Sequence, residues 1–185
     1  LEMNRFYPMC YGKTHYVDAN SNLLNILNKD HDKNLRSGDL FKDIFLFKLH
    51  PPVNYMFRYE IFEEIGLYDE NLPAEDYDMN LRISQKYKIG FLNEFLGFYR
   101  YDNSVFKIKR FDKISNSHLL SIEKFKGHEY YRKANSYVYL KKFDIFSGFV
   151  ELKLKAIQNL YKAIPLWYNK RFLISIIKLV FVWRS

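Results

Sequence analysis

Three carboxylates lie within four positions of one another in the segment Pro73-Ala74-Glu75-Asp76-Tyr77-Asp78. Turn-forming residues at 67–73 come before this cluster, and apolar residues at helical spacing follow it. Asp76 is therefore predicted in the first turn of a helix, where unpaired N–H groups and the helix dipole favour an ionised carboxylate. An ionised carboxylate is what a general base requires. The alternative is that all three residues are ordinary acidic residues at a helix start.

Several elements around this cluster resemble a known enzyme family. Met56-Phe57-Arg58 is followed by the turn Gly66-Leu67-Tyr68-Asp69-Glu70, then by Glu75-Asp76, and later by Tyr99-Arg100. In this order they resemble the second half of the catalytic domain of family 2 glycosyltransferases, which transfer a sugar from a nucleotide donor with inversion. The likeness covers roughly residues 1–105 and is most specific at 53–104.

The resemblance implies roles for individual residues. Asp76 would be the general base that deprotonates the acceptor hydroxyl, and Glu75 would contact the acceptor sugar or orient the loop. Tyr99 and Arg100 would bind the acceptor. Where the family often has a His, this chain has Asp102, which could bind a divalent metal or make a local turn hydrogen bond.

Arg82 receives a structural role from the residues themselves. It lies four positions after Asp78 on the predicted helix. Side chains at this spacing are neighbours on a helix surface. We therefore predict an ion pair between them rather than a function in catalysis.

The resemblance also implies a Rossmann-like half that binds the nucleotide sugar and ends in an Asp-Xaa-Asp motif holding Mn or Mg. Asp30-His31-Asp32 and Asp76-Tyr77-Asp78 have this spacing, but neither follows a buried apolar strand, and the glycines form no phosphate loop. Residues 9–18 are similar to the family segment directly after the metal motif. We therefore expect the donor half upstream of Leu1, and expect that this chain alone binds neither metal nor donor tightly.

Composition and charge divide the chain into two domains of a mixed α/β protein. Residues 1–104 are expected to form the C-terminal portion of an A-type (Rossmann-like) glycosyltransferase domain, and residues 105–185 a basic α-helical extension. The extension holds 17 Lys and Arg against 5 Asp and Glu, whereas residues 1–104 hold 12 against 16. Periodicity predicts helices at 118–142, 143–164 and 170–183, with breaks near Lys142-Phe143 and at Pro165.

The single cysteine, Cys10, excludes a disulfide framework within this chain. It lies in an apolar, strand-like stretch. We therefore predict that its thiol is buried and unreactive.

The basic extension introduces a second class of function, because positive charge mixed with aromatic residues suits an anionic membrane surface. The segment 171–183 is too short to span a bilayer but is typical of an interfacial helix. Its narrow stripe consists of Arg171, Ser175, Lys178 and Val182, with apolar residues elsewhere. The alternatives are that this helix packs in the core or forms a homodimer contact. Nucleic acid is not expected as a partner, because no recognition motif accompanies the charge.

The sequence thus predicts part of an inverting glycosyltransferase that transfers a sugar to a saccharide acceptor in surface polysaccharide or glycan synthesis. Its expected location is the cytoplasm, peripheral at the inner face of the membrane. The alternative is a non-catalytic helical scaffold or membrane-surface interaction module.

Overall fold

A three-stranded sheet forms the centre of the first of two units in the chain. The computed structural model describes residues 7–24, 34–100 and 108–181, and the chain divides into an N-terminal unit, residues 1–106, and a C-terminal unit, residues 107–185. Strand β1 (Met9–Val17) is the middle strand, antiparallel to β2 (Tyr55–Phe57) and parallel to β3 (Gly90–Arg100). The predicted mixed α/β class is confirmed.

A close contact at Gly97 fixes the segment that leads into β2. The Asn54 Nδ2 atom donates a hydrogen bond to Thr14 Oγ1 on β1 at 2.6 Å. A Cβ atom at Gly97 on β3 would lie only 2.9 Å from Asn54 Oδ1. Glycine at this position therefore leaves room for the Asn54 side chain, which holds the chain in place just before Tyr55.

Within the described part of this unit, three helices accompany the sheet: α1 (Phe41–Phe45), α2 (Ile61–Ile65) and α3 (Glu75–Lys86). Helix α3 begins at the acidic cluster, as predicted. The Tyr77 hydroxyl on α3 donates to the Phe45 carbonyl of α1 at 3.3 Å, and its ring stacks on Phe47 with centroids 4.8 Å apart. These contacts fix the start of α3, which carries Asp76.

The C-terminal unit is helical and is built around α5. Its helices are α4 (Ile108–Glu123), α5 (Tyr131–Phe146), α6 (Lys153–Lys162) and α7 (Lys170–Phe181), with 3-10 turns at Val150–Leu152 and Ile164–Leu166. The core is apolar and mostly aromatic or small, which allows close helix packing. It comprises Phe111, Leu140, Phe143, Phe146, Ala156, Leu160, Ala163, Leu166 and Phe172.

The helices predicted at 118–142 and 143–164 do not have the predicted boundaries, and α4 already begins at Ile108. The predicted helix at 118–142 is interrupted, because α4 ends at Glu123 and a turn that contains Gly127 follows. The predicted break near Lys142-Phe143 does not occur, because Phe143 and Phe146 both pack into the core and α5 continues to Phe146. The helix predicted at 143–164 instead breaks at residues 147–149, where Gly148 lies. The break at Pro165 is confirmed.

Cys10 lies in β1, as predicted, but its side chain is half-buried rather than buried. The reason is strand alternation, since Met9 and Tyr11 on either side point into the core. Partial burial still raises the pKa of the Cys10 thiol, which favours the less reactive protonated form.

Candidate active site

Asp76 lies in the first turn of α3, one residue after its start at Glu75. Ala74 at the N-cap provides no side-chain hydrogen bond to the helix, whereas Asp76 Oδ1 accepts a hydrogen bond from the Tyr77 N–H at 2.8 Å. The Asp76 side chain is 27% exposed. The helix dipole and this N–H group favour an ionised carboxylate that solvent and ligands can still reach.

Residues from three other segments approach this carboxylate. His50 Nε2 lies 3.6 Å from Asp76 Oδ2. Burial raises the pKa of Tyr55 on β2, and the charge of Asp76 raises it further. Burial and then the charge of Asp76 also raise the pKa of Tyr68, which lies between α2 and α3. Both phenols therefore stay protonated at neutral pH and keep an O–H donor within range of the Asp76 charge.

Polar atoms without partners lie next to Asp76, one turn further along α3. Asn80 is only 1% exposed, and neither its amide oxygen nor its amide nitrogen has a hydrogen-bond partner. The buried Tyr55 hydroxyl also lacks a hydrogen-bond partner. The Asn80 amide is close enough to this hydroxyl to oppose the rise in the Tyr55 pKa. The two groups nevertheless do not have the geometry of a hydrogen bond. Buried polar groups are nearly always satisfied, and such an exception in a native structure calls for a functional or structural reason.

The third carboxylate of the cluster, Asp78, has a structural role. It is fully buried, and Arg82 Nε lies 2.8 Å from its Oδ2, so the predicted ion pair is confirmed. The Arg82 guanidinium also donates to the carbonyls of Ile65 at 2.6 Å and Leu67 at 2.9 Å. Arg82 thereby ties α3 to the chain after α2 and fixes the turn that carries Tyr68.

The remaining predicted site residues occupy different surroundings. Glu75 is exposed, and its charge makes a smaller contribution to the raised pKa of Tyr55 and Tyr68. Tyr99 is partly exposed and packs near Tyr16, with ring centroids 5.7 Å apart. Their roles in acceptor binding stay predictions.

Arg100 closes a turn at the end of the sheet. Its Nη1 donates to the carbonyls of Asp18 at 3.1 Å and Ala19 at 2.7 Å, and its Nη2 to Ser21 Oγ at 3.2 Å. These contacts give the guanidinium a structural task, and a role in acceptor binding is still only predicted. Asp102, together with the Asp30-His31-Asp32 segment, lies outside the described residues.

Few potential metal ligands lie near Asp76 in the described part of the chain. Within 7–24, 34–100 and 108–181, no three or more His, Cys, Asp or Glu side chains converge as a metal-binding group. Asp76 and His50 form a pair without a third such ligand. The described side chains around Asp76 therefore do not form a metal-binding group.

Sequence reasoning did not identify His50, Tyr55, Tyr68 or Asn80. Asn80 carried a local signal, because it lies four residues after Asp76 and shares its helix face, and Tyr68 lies in the turn that contributes to the resemblance. His50 and Tyr55 reach the site through the packing of β2 and its preceding segment, which no spacing in the sequence indicates.

No protein-family model, curated protein or solved structure matches this chain. The case for a function therefore depends on the surroundings of Asp76 and on the sequence motifs.

Proposed function

We propose that the residues around Asp76 form the acceptor side of an inverting glycosyltransferase in which Asp76 is the general base. The observation that carries this proposal is the setting of the Asp76 carboxylate. It is partly exposed in the first turn of α3, lies 3.6 Å from His50 Nε2 and is close to two protonated tyrosines. A general base must be ionised, accessible and held in position, and these contacts meet the three requirements.

In the proposed reaction, Asp76 accepts the proton of an acceptor hydroxyl as the hydroxyl oxygen attacks the anomeric carbon of the donor sugar. The new glycosidic bond forms while the bond to the diphosphate breaks, and the nucleoside diphosphate leaves with the electron pair. Attack from the face opposite the leaving group inverts the anomeric configuration.

Two buried polar residues beside Asp76 support a polyhydroxylated acceptor. The Tyr55 hydroxyl and the Asn80 amide both have unused hydrogen-bonding capacity, and a saccharide offers both donors and acceptors. A small rearrangement of Tyr55 would let its hydroxyl donate to a sugar oxygen, with Asn80 supporting it from behind.

The donor side of the proposal comes from the resemblance alone. The order β2, α2, turn and α3 agrees with the order that the resemblance implies for an A-type (Rossmann-like) domain, and we extend the proposal to that fold. The nucleotide sugar would be bound, with Mn or Mg, by a half encoded upstream of Leu1. Such a metal would neutralise the departing diphosphate.

Replacing the base tests this proposal. In a protein that includes the upstream donor half, Asp76→Asn should lower transfer from labelled nucleotide sugars by about 10²- to 10⁴-fold, because it removes the proton acceptor and keeps the shape. Donor binding, measured by calorimetry, should be unchanged. Glu75→Gln is the matched control, because it removes a neighbouring carboxylate from the same helix turn and should cost much less.

Transfer at a normal rate by Asp76→Asn would overturn the assignment of the base. An upstream sequence without a nucleotide-binding half would instead favour the non-catalytic scaffold.

A further inference from the structure

Helix α7 buries Phe172 and Ser175 and exposes large apolar side chains on its other sides. Ser175 is buried and donates to the Arg171 carbonyl at 3.0 Å, and Arg171 Nε donates to Asp144 Oδ2 on α5 at 2.6 Å. The apolar residues that remain at least 40% exposed are Leu173, Ile174, Ile176 and Ile177. A surface helix of a globular protein ordinarily places polar or charged residues on its outer side, so the apolar residues on the outer side of α7 call for a partner.

Helix α6 also exposes large apolar side chains. Its exposed large side chains, Leu154, Ile157 and Tyr161, are spaced by three and four residues and form one stripe. The opposite side of the helix is buried through Ala156, Asn159 and Leu160. Between α6 and α7, Trp167 is 66% exposed and Tyr168 is also exposed. We call these exposed apolar residues of α6, α7 and their connection the outer apolar surface.

Positive charge accompanies this surface. Residues 150–178 hold six Lys and Arg against the single acid Glu151. Five of the six basic residues are exposed: Lys155, Lys162, Lys170, Arg171 and Lys178. A partner for this surface must therefore supply both apolar contact and negative charge.

We propose that the outer apolar surface binds an anionic lipid bilayer. Its Leu and Ile side chains would enter the boundary between headgroups and acyl chains, Trp167 and Tyr168 would lie at headgroup level, and the lysines would contact lipid phosphates. A second copy of the chain suits the surface less well, because a symmetric contact would bring the same cations together. No helix among the described residues has the length and apolar character needed to cross a membrane, so the proposed binding is peripheral. It does not depend on the function proposed for Asp76.

Sedimentation with vesicles tests the proposal on the 185-residue chain. The protein should sediment with vesicles of mixed phosphatidylcholine and phosphatidylserine, and not with phosphatidylcholine alone. Binding should weaken between about 0.1 M and about 1 M salt, as the Debye length falls from about 10 Å to about 3 Å. Ile177→Gln should lower the apparent affinity by about tenfold, because it removes apolar burial without changing charge.

Leu120→Gln on α4 is the matched control, since Leu120 and Ile177 are 57% and 56% exposed. It should leave vesicle binding unchanged, and circular dichroism should show both variants folded. Equal binding by the two variants would overturn the role of the apolar surface, and so would a chain that ignores anionic vesicles. Self-association that is lost in Ile177→Gln, without vesicle binding, would assign the surface to a second copy instead.

Discussion

In the N-terminal unit the unusual residues near the proposed site are buried polar groups without partners, whereas in the C-terminal unit they are large apolar side chains exposed along two consecutive helices. Tyr55 and Asn80 are the clearest case in the first unit, and both lie beside Asp76. Trp167 and Ile177 are examples from the second. Both units expose large apolar side chains, among them Met56 and Phe98 in the first unit, so the two proposed sites differ in the kind of residue that marks them.

The two units also differ in how they satisfy buried polar side chains. In the C-terminal unit, a helix carbonyl four residues earlier accepts from Ser121 at 3.1 Å, Ser136 at 2.8 Å and Asn159 at 2.6 Å. These bonds are local, although the buried Lys142 ammonium pairs with Asp112 and Asn116 on α4 at 2.7 Å each. In the N-terminal unit, Arg82 instead reaches carbonyls that lie more than a dozen residues earlier in the chain.

The largest effect on stability is expected at Phe143, which is fully buried at the centre of the apolar core. Phe143→Ala should destabilise the C-terminal unit by about 4 kcal/mol, because it leaves a cavity among aromatic side chains. Hydrogen exchange should show lost protection in α4 to α7. Tyr161→Ala, at an exposed aromatic position, should change stability by less than about 0.5 kcal/mol. A comparable loss in Tyr161→Ala would break the comparison, because Tyr161 would then contribute to packing.

A somewhat smaller effect is expected from Arg82→Ala in the N-terminal unit. The change leaves the buried Asp78 carboxylate without the Arg82 guanidinium and should cost about 3 kcal/mol. Hydrogen exchange of α2 and α3 would measure it. Lys86→Ala on the same helix is the control, since Lys86 and Glu64 form an exposed pair at 3.4 Å that should contribute less than about 1 kcal/mol. Equal effects of the two changes would show that long-range polar contacts do not hold this unit together.

The smallest effect concerns pH and is common to both units. The Tyr131 hydroxyl donates to Glu123, and with Lys126 it lowers the pKa of that carboxyl. Because the pKa of Glu123 is lower in the folded state than in the unfolded state, the ionised carboxyl stabilises the fold at pH values above the unfolded-state pKa. This stabilisation is lost as the pH falls through the folded-state pKa. Glu123→Gln should therefore flatten the acid side of the stability curve of the C-terminal unit.

Glu64 should behave in the same way in the N-terminal unit, where the Tyr87 hydroxyl lowers the pKa of its carboxyl. Glu151→Gln removes the same charge from the C-terminal unit and is the control for Glu123. Thermal unfolding between about pH 3 and about pH 7 would separate these variants. Identical acid profiles for Glu123→Gln and Glu151→Gln would contradict the prediction.

Features that depend on neighbouring residues were predictable from the sequence. The start of α3, the ion pair between Asp78 and Arg82 and the break at Pro165 follow from helix periodicity, i,i+4 spacing and the missing N–H of proline. The turn after Glu123 was missed because the apolar pattern runs through it, and the continuation of α5 past Phe143 depends on core packing.

The sequence by itself determined the acidic helix start at Asp76 and the polar stripe of Arg171, Ser175 and Lys178, because both are local properties of a helix. Tertiary structure alone decided what surrounds them. His50 and Tyr55 reach Asp76 only after the sheet has formed, since they belong to segments distant along the chain. Likewise, the packing of Phe172 into the core and the contacts of Arg171 and Ser175 with Asp144 on α5 decide which side of α7 is buried, and they leave Ile174 and Ile177 exposed. Periodicity defines the two sides of a helix, and only packing determines which side faces inward.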